Sequence, residues 1–158
     1  ELGVSKIVPV MSARTVVRLD KRQAEAKRAR WQRIVEAASR QCGAAFVPEV
    51  LEPQPFSATL PLMRACTTLI VAALIPEAQP LKPVLDTLNP LQKGQVWGWW
   101  CGPEGDFTKE EMQTILDCGA LPVTLGPLIL RAETAAIYGL ANLGCARNNT
   151  AFGEGECL

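Results

Sequence analysis

The chain has 158 residues, one domain by length, and 48% of them are hydrophobic, ample for a globular core. Lys and Arg balance Asp and Glu at 16 each, there is no His, and no uncharged apolar run reaches the length of about 18 residues that spans a bilayer. These facts exclude Ser-His-Asp and Cys-His nucleophilic catalysis and argue against a membrane-embedded chain.

Strands and helices alternate from the start. Ile7 to Val10 is a short strand, and Lys21 to about Gln41 a helix with Trp31, Ile34, Val35 and Ala38 on one face and Gly43 as its C-cap. Val47 to Leu51 is extended, Pro55 to Leu62 a loop or helical turn, and Thr67 to Leu74 a buried strand. A helix from Leu81 to Leu88 ends before Asn89-Pro90, and Lys93-Gly94 turns the chain into the strand Val96 to Cys101. Thr108 and Glu111 form a capping box for a helix ending at Cys118-Gly119. Leu121 to Leu125 is the last strand; Glu133 or Thr134 opens a helix that stops at Gly144, and residues 147–158 form a mobile tail. The pattern predicts an α/β domain with a parallel sheet. Trp97, Trp99 and Trp100 lie within a strand and read as core on two sheet faces rather than as a base-stacking platform.

The zero net charge hides an asymmetry. Residues 1–40 hold ten Lys/Arg against four Asp/Glu, and residues 41–158 hold six against twelve. Arg14, Arg18, Lys21, Arg22, Lys27, Arg28, Arg30, Arg33 and Arg40 make a basic stripe that suits phosphates, or else a solvated helix face with Glu25 and Glu36 as partners. Cys42, Cys66, Cys101, Cys118, Cys145 and Cys157 make no CxxC pair, so they read as free thiols in a reducing compartment, with no metal site.

Two segments carry most of the functional signal: Gly102-Pro103-Glu104-Gly105-Asp106-Phe107-Thr108, and Leu125-Gly126-Pro127-Leu128-Ile129-Leu130-Arg131-Ala132-Glu133-Thr134. Each follows a buried strand and precedes a helix, so the two Gly/Pro loops frame a crevice at the carboxyl ends of parallel strands. No Lys-Ser/Thr follows the first loop, and its two carboxylates oppose a phosphate ligand.

The segments GPEGDFTKEE and LGPLILRAETA resemble the GPEGGF(S/T)xxE and LGxxILRxETA motifs of the RNA methyltransferases that modify N3 of a uridine in small-subunit ribosomal RNA, within the trefoil-knotted SPOUT superfamily. The likeness continues upstream in Glu1-Leu2-Gly3-Val4, Ile7-Val8-Pro9, Ser12-Ala13-Arg14-Thr15-Val16-Val17, Arg30-Trp31-Gln32-Arg33-Ile34, Glu36-Ala37-Ala38, Gln41 and Val47-Pro48-Glu49, and covers residues 1–144. It implies a methyltransferase domain over residues 1–146 with a C-terminal trefoil knot, S-adenosyl-L-methionine as cofactor, a homodimer, and no metal. It also implies a bacterial cytoplasm or an organelle interior. Cofactor contacts are expected from Leu74, Gly102, Pro103, Glu104, Gly105, Leu125, Gly126, Leu130, Arg131 and Thr134. Arg14 is the expected catalytic residue, and Arg14, Arg18, Arg28, Arg30, Arg33 and Arg131 the expected contacts to small-subunit ribosomal RNA.

Three departures stand out. Asp106 replaces the motif's second Gly, a place where a left-handed residue is expected and Asp is tolerated. Ala44 replaces an Arg of the family's QxxR. The strand and PUA-like barrel that precede ELGV in the family are not in this sequence, so an N-terminally incomplete sheet is expected. Action on another RNA, or a knotted RNA-binding module without turnover, are the alternatives these departures leave open.

Overall fold

The computed structural model describes residues 1–17, 19–88 and 92–148. Val8-Pro9 splits the first predicted strand in two: β1 (Lys6–Ile7) and β2 (Val10–Met11). They pair in parallel with β3 (Glu49–Val50) and β4 (Gln54–Pro55) respectively. The connection is the long helix α1 (Lys21–Cys42), which starts at a capping box between Asp20 and Gln23 and ends at Gly43 with φ 68°. α1 grips β3 with side chains. Gln32 donates to the Pro48 carbonyl and accepts from the Val50 N–H, while Arg28 Nε donates to the Val50 carbonyl.

The main sheet is parallel throughout, in the order β6 (Gln79–Pro80), β8 (Leu121–Thr124), β5 (Thr68–Ala72), β7 (Trp97–Trp100). β6 escapes sequence reading because two residues ending in Pro carry no strand pattern; its edge position tolerates a residue without an N–H. The period of two sorts β5 onto two cores. Leu69, Val71 and Ala73 pack with Met63 of α2 (Leu60–Ala65) and with Met112 and Ile115 of α4 (Lys109–Asp117). Ile70 faces the other way, toward Leu81, Val84 and Leu85 of α3 (Leu81–Thr87) and Leu143 of α5 (Ala132–Asn148).

The tryptophans divide as expected. Trp97 and Trp99 pack on the α3/α5 side and Trp100 on the α4 side. Gly139 of α5 lies flat on the Trp99 ring, where a Cβ would collide. α5 runs past the predicted stop: Gly144 sits inside the helix, which reaches Asn148. Arg147 and Asn148 are therefore helical rather than tail, and residues 149–158, with Asn89 and Pro90, lie outside the described residues. No described helix is long and apolar enough to cross a membrane.

Candidate active site

The loops that follow β5, β7 and β8 meet at one end of the sheet. They frame a cleft that is open on one side. Leu74 comes from the β5 end; Cys101, Gly102, Pro103, Glu104 and Asp106 follow β7; Thr124 ends β8, and Leu125, Gly126, Leu128, Ile129 and Leu130 follow it. Ala132 and Ala135, at the start of α5, close the floor.

Backbone geometry shapes this cleft. The Asp106 N–H donates to the Pro103 carbonyl at 2.8 Å, closing a tight turn over Glu104 and Gly105. Asp106 itself has φ 57°, the only left-handed non-glycine among the described residues, and its Oδ1 accepts from the Phe107 N–H at 2.8 Å. Asp is one of the few residues that take this conformation with a local hydrogen bond. Gly102 faces inward, and a Cβ there would lie 2.6 Å from Asp106 Oδ1 and 3.0 Å from Asp106 Cα. On the opposite wall Gly126 has φ 123°, closed to side-chain-bearing residues.

The charged side chains lining the cleft are both carboxylates, Glu104 and Asp106, and no Lys or Arg is among them. The Cys101 thiol is pushed up to about 11, chiefly by burial; Trp99 beside it opposes the rise and Asp106 adds to it. Apolar groups around the mouth remain uncovered, with Leu128 76%, Ile129 79% and Leu74 61% exposed.

Seven of the ten expected cofactor residues line the cleft: Leu74, Gly102, Pro103, Glu104, Leu125, Gly126 and Leu130. Gly105, Arg131 and Thr134 do not. Gly105 faces away, toward the Arg14 stem, with room for a Cβ at 3.4 Å. Arg131 is exposed and makes no ion pair with Glu133; its carbonyl accepts the Ala135 N–H at the first turn of α5. Leu128, Ile129 and Asp106 belong to the two flagged motifs, whereas Cys101 and Thr124, each one residue before a motif, carry no signal of their own in the sequence.

Arg14 sits on the outer side of the same loop. Its Nη1 donates to the carbonyls of Gly105 at 2.5 Å and Phe107 at 3.3 Å. It belongs to a β-turn, Ser12 to Thr15, closed by Thr15 N–H to the Ser12 carbonyl at 3.2 Å. Among the other basic residues, Arg28 is engaged with Val50, so its Nε is not free for phosphate. Arg30 and Arg33 are exposed, and among the described residues no carboxylate, Glu25 and Glu36 included, pairs with them. Arg18 lies outside the described residues.

Residues 1–144 match the family described as RNA methyltransferase domain. The chain belongs to that family. The ribosomal RNA small subunit methyltransferase E of Bacillus subtilis is 33% identical over 142 residues, which cover 89% of this chain and 56% of that protein. A ribosomal RNA small subunit methyltransferase E from Neisseria gonorrhoeae, solved bound to S-adenosyl methionine, superposes with a TM-score of 0.75 at 36% identity, over 90% of this chain and 56% of the other. A Legionella pneumophila protein solved with bound S-adenosylmethionine gives a TM-score of 0.79 at 31% identity, over 92% of this chain and 57% of the other. The chain thus spans little more than half the length of these relatives.

Proposed function

We propose that the cleft binds S-adenosyl-L-methionine and that the protein methylates N3 of a uridine in small-subunit ribosomal RNA. The observation that carries this reading is the lining itself: an apolar wall with Glu104 and Asp106 and no cationic side chain. Such a lining favours a ligand bearing positive charge and disfavours a nucleotide phosphate. When bound, the cofactor supplies an activated methyl group: the C–S bond breaks, its electron pair stays on sulfur, and a new C–N bond forms at N3. The relatives solved with that cofactor support the assignment.

The chain's own residues do the rest. Leu125 and Leu130 offer an apolar wall suited to an adenine ring. Cys101, held protonated, does not compete for the methyl group as a thiolate would. The uridine N3 proton must leave to solvent, and charge then develops on the ring. Arg14 is the fixed cation beside the cleft loop, permanently charged, and so stabilises that charge without acting as a base. The exposed guanidiniums of Arg30 and Arg33, without an ion pair among the described residues, offer the phosphate contacts.

A homodimer is part of the proposal, supported by Ile137 and Tyr138, 60% and 44% exposed on α5, close in sequence to the uncovered Leu128 and Ile129. The trefoil knot is supported by a sheet order that inserts β8 between β6 and β5, which are consecutive in the chain.

The test is single-turnover methyl transfer to small ribosomal subunits. Arg14→Ala should slow it by at least about tenfold. S-adenosylhomocysteine affinity should fall no more than about fivefold, the worth of one exposed hydrogen-bonding nitrogen. Arg14→Lys should restore only part of the rate, because an ammonium lacks the planar fork. A wild-type rate in Arg14→Ala withdraws the assignment.

A further inference from the structure

Glu111 is a helix-capping residue by its sequence, yet it is 9% exposed and does more than cap. Its Oε2 accepts the Thr108 N–H at 3.0 Å, and the Thr108 hydroxyl accepts the Glu111 N–H at 3.2 Å, which completes the capping box of α4. Its other oxygen, Oε1, accepts the Ala13 N–H at 2.7 Å across 98 residues of sequence. An isolated cap would leave that oxygen to water. Here one carboxylate ties the start of α4 to the turn that carries Arg14.

The turn also has contacts of its own. Thr15 Oγ1 lies 3.0 Å from both the N–H and the hydroxyl of Ser12, and Ser12 is buried. Arg14 then reaches the Gly105 and Phe107 carbonyls, three and one residues before Thr108. The turn is therefore joined to the cleft loop at two places, once through the guanidinium and once through Glu111. A guanidinium on a long stem cannot be placed by its own bonds to an exposed loop alone. The main-chain anchor at Ala13 supplies the second constraint.

We propose that Glu111 is a positioning residue, a bridging carboxylate that fixes the Ser12–Thr15 turn to the cleft loop so that Arg14 is held in register with the bound cofactor. This rests on the role given to Arg14 above. It makes the capping glutamate a requirement of methyl transfer, beyond its contribution to helix stability.

Two substitutions separate this from a purely structural role. Ala13→Pro removes the donor at the second position of a β-turn, where proline is well accepted, and leaves the capping box intact. Glu111→Gln keeps size and shape but turns an N–H2 toward one of the two donors. Each should lower the single-turnover rate by about tenfold while S-adenosylhomocysteine affinity stays within about threefold. In an Arg14→Ala background neither should lower the rate further by more than about twofold, because each acts through Arg14. Losses that multiply in that background, or an affinity that falls as far as the rate, would overturn the proposal.

Hydrogen exchange at the Ala13 amide reads the bridge independently of activity. That amide should be protected in the parent protein and lose protection in Glu111→Gln. If Arg14→Ala retains the parent rate, the role of Arg14 fails, and the bridge is judged on exchange alone: unchanged protection in Glu111→Gln refutes it, and loss sustains it.

Discussion

Gly102→Ala adds one methyl group where the cleft loop folds on itself. The new Cβ would lie 2.6 Å from Asp106 Oδ1, 3.0 Å from Asp106 Cα and 3.1 Å from the Phe107 nitrogen. The first neighbour cannot simply swing aside, because that oxygen is bonded to the Phe107 N–H at 2.8 Å. The other two are main chain. The Pro103–Asp106 turn must open, and overpacking of this kind costs about 1–3 kcal/mol. If the cofactor requires the closed turn, that cost appears as roughly a 5- to 150-fold loss of S-adenosylhomocysteine affinity. Calorimetric titration measures it, with thermal unfolding alongside. Gly119→Ala is the matched control: its φ is 86° and a Cβ would meet nothing, so it should lower stability by about 1–2 kcal/mol through the left-handed backbone and leave affinity unchanged. Parent affinity in Gly102→Ala would show that the ligand does not depend on this turn, and the cleft would lose its assignment.

Asp106 makes a complementary pair of predictions: Asp106→Gly should bind S-adenosylhomocysteine within about threefold of the parent, whereas Asp106→Val, forced to φ 57°, should lose at least about tenfold. The Cys101 thiol, raised from its ordinary 9.0 to about 11, contributes stability that is complete below pH 9 and lost as pH rises toward 11, because the unfolded chain releases its proton first. Cys101→Ser should therefore flatten the alkaline fall in stability, read by denaturant unfolding from pH 8 to 11. Charge reversal at Arg30 and Arg33 should weaken RNA binding irrespective of sequence and reduce its salt dependence; salt-independent binding would remove this face from the RNA site.

What the sequence disclosed follows the range of the interactions involved. The capping box at Thr108 and Glu111, the C-cap at Gly43 and the two-faced tryptophans are local or periodic, and all were legible. The family motifs located the cleft loops, because their Gly and Pro residues answer to backbone geometry: Gly126 at φ 123° and Gly102 packed against Asp106. Asp106 in the left-handed region followed from the glycine it replaces.

The orientation of Gly105 did not follow. Two glycines in one loop look equivalent in sequence, yet a Cβ on Gly102 would press into Asp106 and Phe107 of the loop itself, and one on Gly105 would face Arg14. α5 passed its expected end at Gly144, because a glycine is a helix stop only where the backbone turns left-handed, and Gly144 is not among the glycines with positive φ. The engagement of Arg28 with Val50, and of Glu111 with Ala13, joins segments 22 and 98 residues apart and has no local signature.

The methylated product is the most direct test of the proposed activity. Small ribosomal subunits lacking the modification, incubated with the protein and isotope-labelled S-adenosyl-L-methionine, should yield labelled 3-methyluridine when the RNA is digested and its nucleosides are resolved by mass spectrometry. Label confined to another nucleoside, or none at all under conditions where S-adenosylhomocysteine binds the cleft, would contradict it.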